Sequence, residues 1–519
     1  MRRRPEYLVI ILFVISYLIF SFNIQNQGIY IDELFHHTFG MVYFDSFVKG
    51  DLLNPCITGR GECSMINLEC AGQIQWLASG GLIKGLFVGL GDNLFSHHDR
   101  IYYAGLDVCR PIHNNLEVPG VNIPTQSELA ASRFFSPIFG SLTVVVTYIT
   151  GKFLYSRNLG LFASLMLMFY SLWMLHSRIL TSEVYVNFFM TLALCILLYS
   201  IHSKNTIKTK YLILSAVVFG LAINTKLTII ETAPVFIFLI FFRNNLRKPI
   251  DWRTIKEKLF VQKSILLLSI FMAVTFVTII STFPFYYVGP IEQLKLQYDG
   301  MIGYGGINEP WNPTKSIFIP IGSAFSVTIA PLYDTYYKLV DPQNIPISAT
   351  HGHTFTSVSL SILFLTGFIF IILKLKTKTI LLSELMILVW YISVYIFTSL
   401  TAESYNQSRY FLPLAFPMII IASYGFLNVI RSIPRFMQIS FTIVTLLSHV
   451  ITYLIFWSDI YFNPQKIWRL PLYFNLQKSL EEPPVLILGL IFAFTMIIIC
   501  LYKFGNKLYW NENDITKHR

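Results

Sequence analysis

The sequence predicts an all-α polytopic membrane protein with about a dozen spanning helices and a large first extracytoplasmic loop. Three observations predict it. Of 519 residues, 54% are hydrophobic and 13% are charged, whereas soluble chains average about 25% charged residues. The apolar residues gather into runs of roughly 20, the length that crosses a bilayer core. In lipid such runs must be helices, because every backbone N–H and C=O needs an internal partner. Finally, the basic residues sit in alternate short loops, as the positive-inside rule requires.

Spans are expected at 7–22, 131–150, 159–176, 184–202, 211–224, 228–242, 264–286, 356–373, 380–400, 411–430, 437–457 and 484–502. With the N-terminus placed in the cytoplasm, the inner segments are 1–6, 151–158, 203–210, 243–263, 374–379, 431–436 and 503–519. They hold 24 of the 39 Lys and Arg but five of the 28 acidic residues. The net charge of +11 therefore describes membrane orientation, and no nucleic-acid partner is expected. Run 7–22 follows a basic start like a signal peptide, but no small-x-small cleavage site precedes Asp32; it is read as the first span. Residues 1–502 are read as one transmembrane unit and 503–519 as a cytoplasmic tail, with both termini inside.

Three external segments are long: 23–129, 287–355 and 458–483. Within the first, Gln73–Gly91 (QIQWLASGGLIKGLFVGLG) is apolar but interrupted by Lys84 and glycines. It is expected to lie on or dip into the interface. Segment 287–355 is rich in Tyr, Trp, Asn, Gly and Pro. It suits carbohydrate or peptide contacts, or a packed cap over the helices. Cys56, Cys63, Cys70 and Cys109 all fall in the first loop. They are disulfide candidates in an oxidising compartment. Free thiols and a zinc site are the alternatives, although the spacing lacks a C-x₂-C pair.

Candidate chemistry begins at Asp32-Glu33 in IYIDELFHHTFG (Ile29–Gly40). A carboxylate at a membrane surface meets substrates from water and from lipid, and can act as a general base. The apolar residues that follow suggest a helix re-entering the interface, with Asp32 as base or as its N-cap. His36 and His37 beside two carboxylates are candidate contacts to an acceptor or a divalent metal. No essential cofactor is expected, since cations from Arg and Lys can meet a leaving phosphate. SRILTSEVY (Ser177–Tyr185) puts Arg178 and Glu183 on the same membrane side, together with His176. GLAINTKLT (Gly220–Thr228) holds Lys226 in a tight external turn, where an anionic ligand or Glu231 is the expected partner. QSRYFLPLAFP (Gln407–Pro417) places Arg409 at the mouth of the tenth span. Arg suits phosphate through its planar fork of donors, although Glu403 lies near enough in sequence to pair with it. Arg133, at the start of the second span, is a further candidate cation. Each of these residues also has an ordinary reading as a boundary charge. Collected on one face, carboxylates beside cations suit transfer of a group from a lipid phosphate to an acceptor hydroxyl. A twelve-helix secondary transporter is the alternative, but such proteins place ionisable residues near the bilayer midplane.

Four segments in order carry a resemblance. They are Ile31–Asp51 with its Asp-Glu pair, Ala131–Phe169 with Arg133 and its glycines, the GLAINTKLT turn, and SRYFLP. Together they resemble the GT-C membrane glycosyltransferases, especially the branch of protein O-mannosyltransferases and lipid A aminoarabinose transferases. The resemblance implies a GT-C fold and Asp32 as catalytic base, with Glu33 beside it. It implies a polyprenyl- or dolichyl-phosphate sugar donor held with help from Arg409 and Lys226, and inversion at the anomeric carbon. The acceptor would be a protein, lipid or glycan hydroxyl on the extracytoplasmic or lumenal face. Oligosaccharyltransferases share the broad fold. They carry a Trp-Trp-Asp signature, which does not occur in this sequence, and a large C-terminal soluble domain, which is not expected here.

Overall fold

The computed structural model describes residues 7–26, 31–58, 81–95, 126–204, 207–242, 246, 249–250, 262–287, 289–293, 295, 338–340, 346–348, 357–401 and 412–462. These are almost entirely helical. In chain order the helices are α1 (Tyr7–Ser21), α2 (Ile31–Lys49), α3 (Pro55–Thr58), α4 (Gly81–Phe95), α5 (Gln126–Arg133), α6 (Phe135–Leu154), α7 (Arg157–Met168) and α8 (Ser171–His176). There follow α9 (Ser182–Lys204), α10 (Thr209–Thr225), α11 (Ala233–Phe241), α12 (Gln262–Ser281), α13 (Val358–Lys376), α14 (Leu382–Thr401), α15 (Leu412–Ile430) and α16 (Arg435–Phe462). One small antiparallel pair of strands, Lys338–Val340 with Pro346–Ser348, lies in the second long loop. The chain is thus the helical, multi-pass membrane protein that its composition predicts.

Among the described residues, Ser127–Leu154, Ser182–His202, Gln262–Ser281, Ser359–Lys376 and Leu412–Ile430 are long and apolar enough to cross a bilayer. Six shorter apolar helices accompany them, and each of these stretches overlies an expected span. The last expected span, 484–502, lies outside the described residues. Several expected spans are not single continuous helices: 131–150 crosses the junction of α5 and α6 at Phe134, and 264–286 leaves its helix after Ser281 for a 3₁₀ turn over Pro284–Tyr286. The span expected at 159–176 breaks at Phe169–Tyr170, where Tyr170 turns extended (φ −81°, ψ 113°) before α8 begins. The span expected at 228–242 opens as a 3₁₀ turn over Leu227–Thr232. Pro234 then stands in the first turn of α11, where its missing N–H costs nothing. The interfacial stretch expected at Gln73–Gly91 is helical from Gly81 onward and runs on to Phe95; 73–80 lie outside the described residues.

Helix α9 is central, packed against α6 on one side and α10 on the other. Beyond them, α1 and α7 pack on α6, and α12 packs on α10. Helix α7 leads to α15, which carries α13 and α14. Helices buried against neighbours on all sides are apolar throughout, and α15 shows this, with every residue from Leu412 to Leu427 buried. By contrast α1, α12 and α16 expose Ile, Leu, Met and Phe along one side, as lipid-facing helices do.

Lipid tails offer no hydrophobic drive between helices, so close approach and polar ties hold the bundle. A Cβ placed on Gly425 would lie 2.3 Å from the Leu363 carbonyl oxygen, so α13 and α15 touch backbone to backbone. Glycines also let the two first-loop helices approach, here with side chains seated against them. A Cβ on Gly89 of α4 would stand 2.2 Å from Phe44 Cβ, and one on Gly40 of α2 would stand 2.2 Å from Val88 Cγ1. This glycine-packed pair rests through α4 on α5 and on α10, and that contact brings the first loop to the ends of the spans. At the other end of the bundle, buried Glu384 accepts bonds from Lys374 Nζ (2.6 Å), Tyr424 Oη (2.7 Å) and Leu381 N–H (2.8 Å). That satisfied knot ties α13, α14 and α15 together.

Candidate active site

The acidic pair opens α2, because an acid in a helix's first turn is favoured by the exposed N–H groups there. Glu33 points into the protein and is fully buried. Arg133 is the last residue of α5, where a cation suits the free carbonyls. The two form a forked ion pair. Arg133 Nε donates to Glu33 Oε1 at 2.7 Å and Nη2 donates to Oε2 at 2.5 Å. Leu180 N–H adds a third bond to Oε1 at 2.6 Å. One carboxylate thus joins α2, α5 and the turn between α8 and α9. A buried charge is tolerable when fork geometry and extra donors satisfy it, as here. One turn further along α2, His37 Nδ1 pairs with Ser132 Oγ at 2.8 Å. Burial lowers the His37 imidazole to about 4, partly opposed by the charge of Glu128. At neutral pH it carries no charge.

The second pair is Glu183 with Lys226, at 2.8 Å. Glu183 stands in the first turn of α9 and Lys226 directly follows α10. The backbone at Lys226 is extended (φ −160°, ψ 118°), which ends the helix and returns the side chain toward α9. In the structure Glu183, an acid that the sequence did not name for this role, is a partner of Lys226. The reason is the antiparallel packing of α9 on α10, which sets the start of one beside the end of the other. Glu183 is buried, while Lys226 keeps 20% of its side chain exposed.

Between these pairs lies a contact the sequence did not announce. Lys84 of α4 and Nδ1 of His36 on α2 share a hydrogen bond, and both residues are buried. Burial holds the Lys84 amine well below the ordinary lysine range; the Glu183 carboxylate opposes this and Lys226 adds to it. His36, His176, Lys84 and Lys226 all lie within electrostatic reach of Glu183. Lys84 was legible only as a lone charge in an apolar run, which is costly unless partnered.

Arg178 reaches the end of α1. Its Nη1 donates to the carbonyls of Phe20 (3.0 Å) and Phe22 (2.7 Å), so it caps the end of α1. The structure therefore gathers Glu33 with Arg133 and Glu183 with Lys226, brings His36 near the second pair, and sets Arg178 against α1. Asp32 belongs to the first turn of α2, and its side chain lies outside the described residues. Arg409 and Glu403 also lie outside them, as do Cys63, Cys70 and Cys109. Of Cys56, the helical backbone of α3 alone is described. Among the described residues no three His, Cys, Asp or Glu side chains gather as a metal site.

A search of curated protein sequences finds no match. Among solved structures, ArnT from Cupriavidus metallidurans in the apo state is 13% identical, with TM-score 0.49 over 88% of this chain and 76% of that one. The same protein bound to undecaprenyl phosphate is 13% identical, with TM-score 0.47 over 96% and 78%. The archaeal oligosaccharyltransferase AglB from Archaeoglobus fulgidus, in complex with an inhibitory peptide and a dolichol-phosphate, is 12% identical, with TM-score 0.47 over 87% and 55%. The chain thus spans about 55% of the length of that oligosaccharyltransferase. Residues 122–280, the stretch that holds Arg133, Arg178, Glu183 and Lys226, match the family model of the dolichyl-phosphate-mannose-protein mannosyltransferases, the branch that the sequence segments resemble.

Proposed function

We propose that the protein is an integral membrane glycosyltransferase of the GT-C type. It moves one sugar, a hexose such as mannose or a pentose, from a polyprenyl- or dolichyl-phosphate carrier to an acceptor hydroxyl on a protein, lipid or glycan. The observation that carries this reading is the match of residues 122–280 to a mannosyltransferase family, because that stretch contains both halves of the Glu183–Lys226 pair and the Arg133 partner of Glu33. The distribution of loop charges supports an extracytoplasmic or lumenal position for this end of the bundle.

In this reading Asp32 is the base. Glu33, the other member of the acidic pair, is already bound to Arg133 and Leu180 N–H. Asp32 takes the proton of the acceptor hydroxyl, and the oxygen attacks the anomeric carbon from the side opposite the phosphate. The bond from that carbon to the phosphate oxygen breaks, and its electron pair leaves with the polyprenyl phosphate. The anomeric configuration inverts. Lys226, with Arg409, meets the charge that grows on the leaving phosphate. Among the described cations here, Lys226 has the side chain left open, with Arg133, Arg178 and Lys84 almost wholly buried.

The test is purified protein in lipid nanodiscs with a panel of polyprenyl-phosphate sugars, scoring donor consumption and labelled product. One donor class is consumed, and Asp32→Asn abolishes turnover while leaving the unfolding midpoint unchanged. Turnover at the wild-type rate in Asp32→Asn removes the base assignment, and no consumption of any donor removes the transferase reading.

A further inference from the structure

We infer that Glu33 and Arg133 are positioning residues: their closed ion pair, tied to Leu180 N–H, fixes the register of the first turn of α2, and with it Asp32, against the turn that carries Glu183. The inference rests on the proposed role of Asp32. It reassigns two residues whose types and positions in the sequence pointed to a catalytic acid and a phosphate ligand.

Three observations argue it. Glu33 and Arg133 have no exposed side-chain surface, so neither is offered to a donor arriving from lipid or water. The fork of Arg133 is spent on one carboxylate through Nε and Nη2, the geometry that would otherwise grip a phosphate. The same carboxylate holds Leu180 N–H at 2.6 Å, two residues before α9 begins at Ser182. A displacement of α2 along its axis breaks all three bonds at once. His37 with Ser132, one turn on, adds a second tie between the same two helices. Asp32 precedes Glu33 in the chain, so its backbone is fixed by these bonds. A base must sit within hydrogen-bond reach of the proton it takes, and a misplacement of about 1 Å costs on the order of 10²-fold in rate.

The experiment uses the full chain in nanodiscs, with Glu33→Gln, Arg133→Lys and Asp32→Asn. Donor KM, kcat, the pH–rate profile and amide hydrogen exchange over residues 31–40 are measured. Arg133→Lys keeps the charge but loses the fork, so it should fold where Glu33→Gln fails. The expected result is a fall in kcat of about 10²-fold with donor KM within about twofold. The acid limb of the pH profile is retained, and exchange at 31–40 is faster. Loss of the acid limb in Glu33→Gln overturns the inference, because Glu33 is then the base. A rise in donor KM of about tenfold or more with kcat unchanged in Arg133→Lys also overturns it, because Arg133 then binds the donor. Unchanged exchange over 31–40 in folded Arg133→Lys overturns it whatever the reaction. If the wild-type chain consumes no donor, the transferase reading falls while the exchange result still decides whether the pair sets the register of α2.

Discussion

Glu33–Arg133 and Glu183–Lys226 are both acid–base pairs joining helices far apart in the chain, yet they are built differently. The first is forked and dry on both sides. The second is a single contact whose cation keeps 20% of its side-chain surface open. Arg with its rigid fork suits a permanent tie, and Lys, a point charge on a flexible stem, suits one that can be exchanged. The closed pair therefore holds the frame, and under the proposed function the open pair offers the cation that an arriving phosphate would share.

Removing one partner of the closed pair tests the difference most severely. Arg133→Met leaves Glu33 buried without its counter-charge and should lower stability by about 3–5 kcal/mol, read as a fall in the unfolding midpoint. A drop under about 1 kcal/mol, the size of a surface pair, would break the comparison. Acid should act on the same region. In the unfolded chain His37 takes a proton near its ordinary 6.5, whereas burial in the fold delays this to about 4. Between those values the unfolded state binds more protons, so the His37 contribution is complete above pH 6.5. It is lost toward pH 4, with a slope approaching about 1.4 kcal/mol per pH unit. His37→Asn should flatten the stability–pH curve across that window, and an unchanged curve would mean that His37 does not titrate there. The platform beneath both pairs is sharpened by Gly89→Ala. The new methyl meets Phe44 and the Gly40 carbonyl, an overpacking that costs about 1–3 kcal/mol. The open pair should respond least. Lys226→Met is expected to cost about 1 kcal/mol, discounted for solvent screening, while weakening donor binding about tenfold. Raised salt should erode that binding while leaving Arg133-dependent stability unchanged.

Much of this was legible beforehand. Span positions follow from runs of apolar residues, because a bilayer imposes both length and helicity on the chain. The break at Phe169–Tyr170 was not legible, since both residues are apolar and no Pro or Gly marks it. The site residues were legible as types but not as partners. Arg133 and Glu33 are 100 positions apart, and only packing shows that they neutralise one another. Arg178, read as a candidate phosphate cation, also caps α1 through two carbonyls, a contact that leaves no trace in local sequence. Lys84 carried a signal, a charge in an apolar stretch, but its destination beside His36 depended on the glycines that let α4 lie against α2.

Those glycines have a mechanical consequence. Where a glycine leaves room for a neighbouring side chain to seat directly on the helix main chain, as Phe44 does on Gly89 and Val88 on Gly40, the two helices interlock and shift together. Asp32 rides on one member of this pair and Lys84 on the other. A movement of α4 as a body is therefore passed to α2 through Phe44 and Val88, so the lysine and the acid shift together.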